Sequence, residues 1–176
     1  NNSKFVGCFH DSKCLKNGNY FSFNREISKL KLENFDTISL NEFLEVKWMI
    51  PTSSIFFKSK YLELPNFYSS LKYGDFALIV SLLLKGDFIY LNELFSVYRM
   101  DNPTSAMNMI KPLDDIDLSL DYIFLLKNLS KGLNNSAIDG RIDSEIERIR
   151  FLVKSFKKGF FYNLYVKFLK TKKIFN

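Results

Sequence analysis

Gly74 and Asp75 precede a run from Phe76 to Leu84 that is apolar on every side except for Ser81. A helix without a polar face has to be buried. Lys85 and Gly86 then supply a cationic last turn and a stop. At the opposite end the Asp75 carboxylate can cap free backbone N–H groups and meet the positive end of the helix dipole. Cys8, His10 and Cys14 form a second set of chemistry-bearing residues, but their spacing fits no standard zinc site and a fourth ligand is missing. The strand-like phase of Phe5-Val6-Gly7-Cys8-Phe9 instead predicts buried, inert thiols.

The elements that must hold these residues are legible from pattern. Lys4 to Leu15 reads as a strand, Lys16-Asn17-Gly18-Asn19 as a turn with Asn-Gly chemistry, and Tyr20 to Phe23 as the return strand of a hairpin. Ser39 with Glu42 three residues on is a capping box for a short helix over Leu40 to Val46. Ile50-Pro51 ends that helix, and Thr52 to Lys58 is expected to be a strand; its hydroxyls, Thr52, Ser53 and Ser54, are common in strands and turns for structural reasons alone. Tyr61 to Leu71 is a connector to the Gly-Asp pair. Beyond it, Leu113 to Lys131 runs from Asp114, Asp115, Asp117 and Asp121 to Lys127 and Lys131, a charge order that complements a helix dipole. Ile146, Ile149, Val153 and Phe156 recur at helical spacing and predict an amphipathic helix over Asp143 to Lys158.

With 47% hydrophobic and 16% aromatic residues in 176, including 19 Phe, the chain can fill a sizeable core and is not disordered. Two cysteines cannot build a disulfide framework, so a reducing cytoplasm is the expected setting. The longest apolar run is about half of the roughly 20 residues that span a bilayer, so no membrane crossing is expected. The net charge of +6 is concentrated at one end. Lys154, Lys157, Lys158, Lys167, Lys170, Lys172 and Lys173 lie in 151–176 without one acid, and the rest of the chain is close to neutral.

The stretch YGDFALIVSLLLKGDFIYLNELFSVYRMDNPTS, residues 73–105, resembles the acceptor-side half of a family 2 glycosyltransferase of GT-A fold. The matching places are Gly74-Asp75 before a buried helix, a strand Gly86-Asp87-Phe88-Ile89-Tyr90-Leu91, a next strand ending in Tyr98-Arg99, then Met100-Asp101 and a loop Ser105. Ile50-Pro51-Thr52-Ser53-Ser54 also resembles a strand start of that family. The resemblance implies a partial GT-A domain over 1–110, α/β with a small mixed sheet, followed by a helical extension over 111–176. It implies transfer of a sugar from a nucleotide-sugar donor to the hydroxyl of a saccharide or lipid-linked saccharide, in polysaccharide or glycolipid synthesis of a bacterial type. Asp75 is then the catalytic base. Thr52, Ser53, Ser54, Gly74, Tyr98, Arg99 and Ser105 would bind acceptor or donor, with Arg99 either gripping phosphate oxygens or pairing at a strand end. Asp101 replaces a His of the family and can ligate the divalent cation, Mn²⁺ or Mg²⁺, that such enzymes use.

The family's metal-binding Asp-X-Asp strand does not precede these motifs. Asp115-Ile116-Asp117 has its letters but lies far downstream and reads as the first turn of a helix. The chain is therefore expected to be a fragment, inactive alone. Aromatic residues among the tail lysines point to an anionic membrane surface reached through 151–176, which would make the protein peripheral on the inner face of the membrane. Packing of that segment on the core, with a solvated lysine face, is the alternative. A non-enzymatic membrane- or protein-interaction module with a transferase-like core is the rival functional class. Nucleic acid is not an expected partner, since the body is neutral and carries no reader motif.

Overall fold

A computed structural model describes residues 5–24, 32, 36–46, 50–72, 74–100, 102, 112–131 and 135–155. The chain is mixed α/β and divides into two compact units, Asn1–Ile110 and Lys111–Asn176. Strand β1 (Phe5–Lys16) is the spine of the first unit. It turns through Asn17 (φ 51°) and Gly18 (φ 77°) into β2 (Asn19–Ser22). Two successive positive φ values are what a two-residue hairpin with right-handed strand twist requires. β3 (Thr37–Ile38) leads into α1 (Leu40–Glu45), where Ser39 and Glu42 close the capping box expected of them.

Thr52 to Ser54 departs from expectation. These residues form a 3₁₀ turn, and only Ile55–Phe57 continues as a strand, β4. The turn is favoured because Pro51 leaves Ser54 able to close on it twice: the Ser54 N–H and Oγ–H both donate to the Pro51 carbonyl, at 2.8 and 2.7 Å. The buried helix is α2 (Gly74–Leu83), and it feeds directly into β5 (Asp87–Arg99).

The sheet has five strands in the order β2-β1-β5-β3, with β4 also paired to β1. β1 runs parallel to β5 and antiparallel to β2 and β4. The two strands implied at 86–91 and before Tyr98 are one strand interrupted by an irregularity. Against β1, His10 faces Leu91, Asp11 faces Leu94 and Ser12 faces Ser96, so β5 carries extra residues between the two expected pieces. Such bulges bend the strand that holds them. Gly7 allows the β1–β4 approach, since a Cβ there would lie 2.1 Å from the Phe56 carbonyl oxygen.

Phe9, Phe88 and Tyr90 are buried and meet ring to ring at 5.2–6.4 Å, while Phe43 of α1 packs on Phe76 of α2 at 5.5 Å. Phe76, Ala77, Ile79, Val80, Leu82 and Leu83 are all buried, as a helix apolar all round demands. The cysteines are free; Cys14 is buried, Cys8 is half-buried, and burial pushes the Cys8 thiol up.

The second unit pairs α3 (Pro112–Leu129) with α4 (Ser136–Ser155). α4 begins seven residues before the expected Asp143. Asn135 caps it through its side chain, accepting from the Ala137 and Ile138 N–H groups, and Ile138 and Ile142 extend the buried stripe across Gly140. Glu145 is 1% exposed on that stripe. Its carboxylate takes Arg141 at 2.8 Å and the Ser119 hydroxyl of α3 at 2.6 Å, while Arg148 reaches Asp115 at 2.9 Å. Residues 156–176 of the basic tail lie outside the described residues.

A buried carboxylate that loses its nearest cation is costly, even with Arg148 still 3.7 Å from Glu145, whereas an apolar pair of similar volume is tolerated. Arg141→Ala should therefore destabilise the helical unit by about 3–5 kcal/mol. Arg141→Met combined with Glu145→Leu should regain most of that loss. Urea titration followed by helical circular dichroism compares them; a double variant no better than Arg141→Ala would show that the helices need the ion pair itself.

Candidate functional site

Asp75 lies in the first turn of α2, half-buried. Its Oδ1 accepts the Phe76 N–H at 2.9 Å, and its Oδ2 accepts the Thr52 hydroxyl at a long 3.4 Å. The carboxylate therefore makes a local contact at the helix start and is also reached by a side chain from the 3₁₀ turn at 52–54. Each carboxylate oxygen has a second lone pair, so accepting capacity remains at both. Ser53 is exposed beside Thr52. Ser54 is 0% exposed and donates to Pro51, so its hydroxyl closes the turn and is not offered to a ligand.

The connector before α2 is held at both ends of the helix. At the C-terminal end Lys85 pairs with Glu63 at 2.6 Å, a contact that lowers the Glu63 carboxyl below the usual carboxylate range. At the N-terminal end the Tyr68 ring lies against Gly74: a Cβ on Gly74 would sit 2.6 Å from Tyr68 Oη and 2.8 Å from its Cζ. Gly74 is thus required for a close approach.

Tyr98 packs edge-on against Phe23 at 6.1 Å, half-buried. Burial raises its phenol above the ordinary tyrosine value, and the charges of Cys14 and then Asp75 raise it further. That last influence places Tyr98 within electrostatic reach of Asp75.

Arg99 ends β5 opposite Leu15, with an exposed side chain and no ion pair among the described residues. The strand-end pairing considered for it is therefore not seen there. Asp101 and Ser105 lie outside the described residues, as does Tyr73. So the Thr52 hydroxyl reaches Asp75, Tyr98 senses the Asp75 charge, Arg99 follows Tyr98 at the end of β5, and Ser54 turns inward.

Two residues carried no sequence signal. Tyr68 stands in a connector without periodicity, and only its contact with Gly74 marks it. Asp11 is buried in β1, where its carboxylate accepts the Ser12 N–H at 2.7 Å, the Asn24 N–H at 3.1 Å and the Ser22 hydroxyl at 2.5 Å. That pattern ties the hairpin to the chain after it, and its donors leave Asp11 in a structural role.

The Tyr98 titration tests its electrostatic link to Asp75. A phenol whose folded-state value is raised contributes stability that is present below the ordinary value of 10.0 and is lost as pH rises through the raised value. Stability should therefore fall above about pH 10, and Tyr98→Phe should reduce that fall. Asp75→Asn removes a neighbouring negative charge and should shift the Tyr98 titration down, read by tyrosinate absorbance against a Tyr98→Phe blank. An unchanged titration would separate the two side chains.

Among the described residues no group of three or more His, Cys, Asp or Glu side chains is placed to hold a metal ion. No described helix is long and apolar enough to cross a membrane. Comparison of the chain with known families, with characterised proteins and with solved structures finds no match.

Proposed function

We propose that this chain is the acceptor-side part of a family 2 glycosyltransferase of GT-A fold, with Asp75 as its base. The observation that carries the reading is the half-buried Asp75 carboxylate at the start of α2, met by the Thr52 hydroxyl. The two stretches of the family-like pattern, 50–54 and 73–105, thus meet at one titratable group.

In this reading the acceptor hydroxyl binds at the open lone pairs of Asp75. As its oxygen attacks the anomeric carbon of a nucleotide sugar, the bond from that carbon to the diphosphate breaks with inversion. The electron pair leaves with the nucleoside diphosphate, and the acceptor proton passes to Asp75. The helix start aims the carboxylate, and the Phe76 N–H with the Thr52 hydroxyl fixes its rotation, which is the positioning that transfer needs. Arg99, cationic and exposed next to Tyr98, is suited to diphosphate oxygens. The divalent cation expected of such enzymes would neutralise the leaving diphosphate, but the described residues provide no ligand set for it.

Asn keeps the shape and the capping ability of Asp while removing the base. In the complete gene product, supplied with a panel of nucleotide sugars and saccharide acceptors, Asp75→Asn should lower kcat by about 10²–10⁴-fold with donor binding unchanged. Near-normal turnover by a folded variant would leave Asp75 as a helix cap.

The reading also places the protein peripherally on an anionic membrane surface through 151–176, close to lipid-linked acceptors. Phe151, 71% exposed in the last turns of α4, supports it, since an apolar ring there leads into the lysine-rich segment. Each engaged lysine contributes about 1 kcal/mol near an anionic leaflet. Phosphatidylserine vesicles should sediment the chain at low salt and release it at high salt, and truncation after Arg150 should abolish binding. Equal partitioning of both forms would show that the tail is not the anchor.

A further inference from the structure

Tyr68 comes from a 3₁₀ turn, Tyr68–Ser70, whose backbone needs are met locally: its N–H donates to the Pro65 carbonyl at 2.8 Å, and its carbonyl accepts the Leu71 N–H at 3.1 Å. The side chain is half-buried, with the ring in the space that a Gly74 side chain would occupy. Its hydroxyl makes no hydrogen bond among the described residues. A tyrosine packed so closely usually finds a partner for that hydroxyl. Gly74 adjoins Asp75 in the chain, so the phenol lies against the residue immediately before the one that carries the carboxylate. Thr52 approaches that carboxylate from a separate element. The result is one anionic acceptor and two neutral hydroxyls around a helix start.

We propose that Tyr68 is an acceptor-binding residue, holding a sugar hydroxyl next to the one that Asp75 deprotonates, so that the acceptor is a saccharide with neighbouring free hydroxyls. This rests on the transferase reading of Asp75. An acceptor oxygen bonded to Asp75 has its neighbouring oxygen about one hydrogen-bond length away, so a second polar group close to the carboxylate is placed to meet it. A phenol can donate to that oxygen or accept from it, and the rigid ring loses little entropy in doing so. A lone alcohol offers nothing to the second position. Gly74 is the residue that permits the arrangement, because any side chain there would displace the phenol.

The test uses the complete gene product with its donor, and methyl hexopyranosides with their monodeoxy analogues as acceptor probes. Tyr68→Phe removes the hydroxyl and keeps the ring, so the fold is retained and matching circular dichroism verifies it. The variant should raise the acceptor KM about threefold to tenfold, the worth of one neutral hydrogen bond, with kcat and donor KM unchanged. One monodeoxy analogue should suffer a similar loss with the wild type and no additional loss with Tyr68→Phe. A variant that keeps the wild-type acceptor KM, or still discriminates against every deoxy analogue as the wild type does, overturns the role of Tyr68. The transferase reading survives that outcome if Asp75→Asn remains impaired. Absence of transfer, or transfer indifferent to Asp75→Asn, overturns both.

Discussion

The parallel pairing of β1 with β5 is the constraint on which the first unit depends. Parallel neighbours cannot be joined by a tight turn, so everything from the hairpin to α2 has to cross between them. The crossover sets the 3₁₀ turn at 52–54, which packs on both strands, against the start of α2. α2 in turn is fixed by its burial, because a helix without a polar face has no alternative to the core. The irregularity in β5 places extra residues of that strand opposite His10 to Ser12 of β1.

Two buried carboxylates show how differently such a group can be accommodated. Asp11 is satisfied by neutral donors, two backbone N–H groups and one hydroxyl, all from the hairpin and the residues after it. Glu145 is satisfied by a cation on its own helix and a hydroxyl from the partner helix. The first arrangement fixes a local backbone path. The second fixes the register of two helices, because Ser119 and Glu145 meet in only one alignment. Asp75 differs from both: it is half-buried, one of its contacts is long, and lone pairs remain open.

Local chemistry made several elements legible in the sequence. Asn17-Gly18 specified the hairpin because few other residue pairs adopt two positive φ values, and Ser39 with Glu42 specified the start of α1 because the capping box closes within four residues. The apolar run after Asp75 specified a buried helix with that carboxylate at its head. The start of α4 was less legible, since Gly140 obscured a stripe that Asn135 begins.

What the sequence by itself determined is the mixed α/β class, the β1–β2 hairpin, the helices that follow Ser39 and Gly74, and the placing of Asp75 at a helix start, since these follow from propensity, capping and periodicity within a few residues. The tertiary structure alone decided which side chains meet there. Thr52 reaches Asp75 across 23 positions of chain, Tyr68 fills the space left by Gly74, and Ser54 turns away to Pro51 although it has the same hydroxyl chemistry as its neighbours. These outcomes depend on strand register and on a 3₁₀ turn where a strand was expected. Each is set by packing between distant segments, a cooperative quantity that no single stretch of residues encodes.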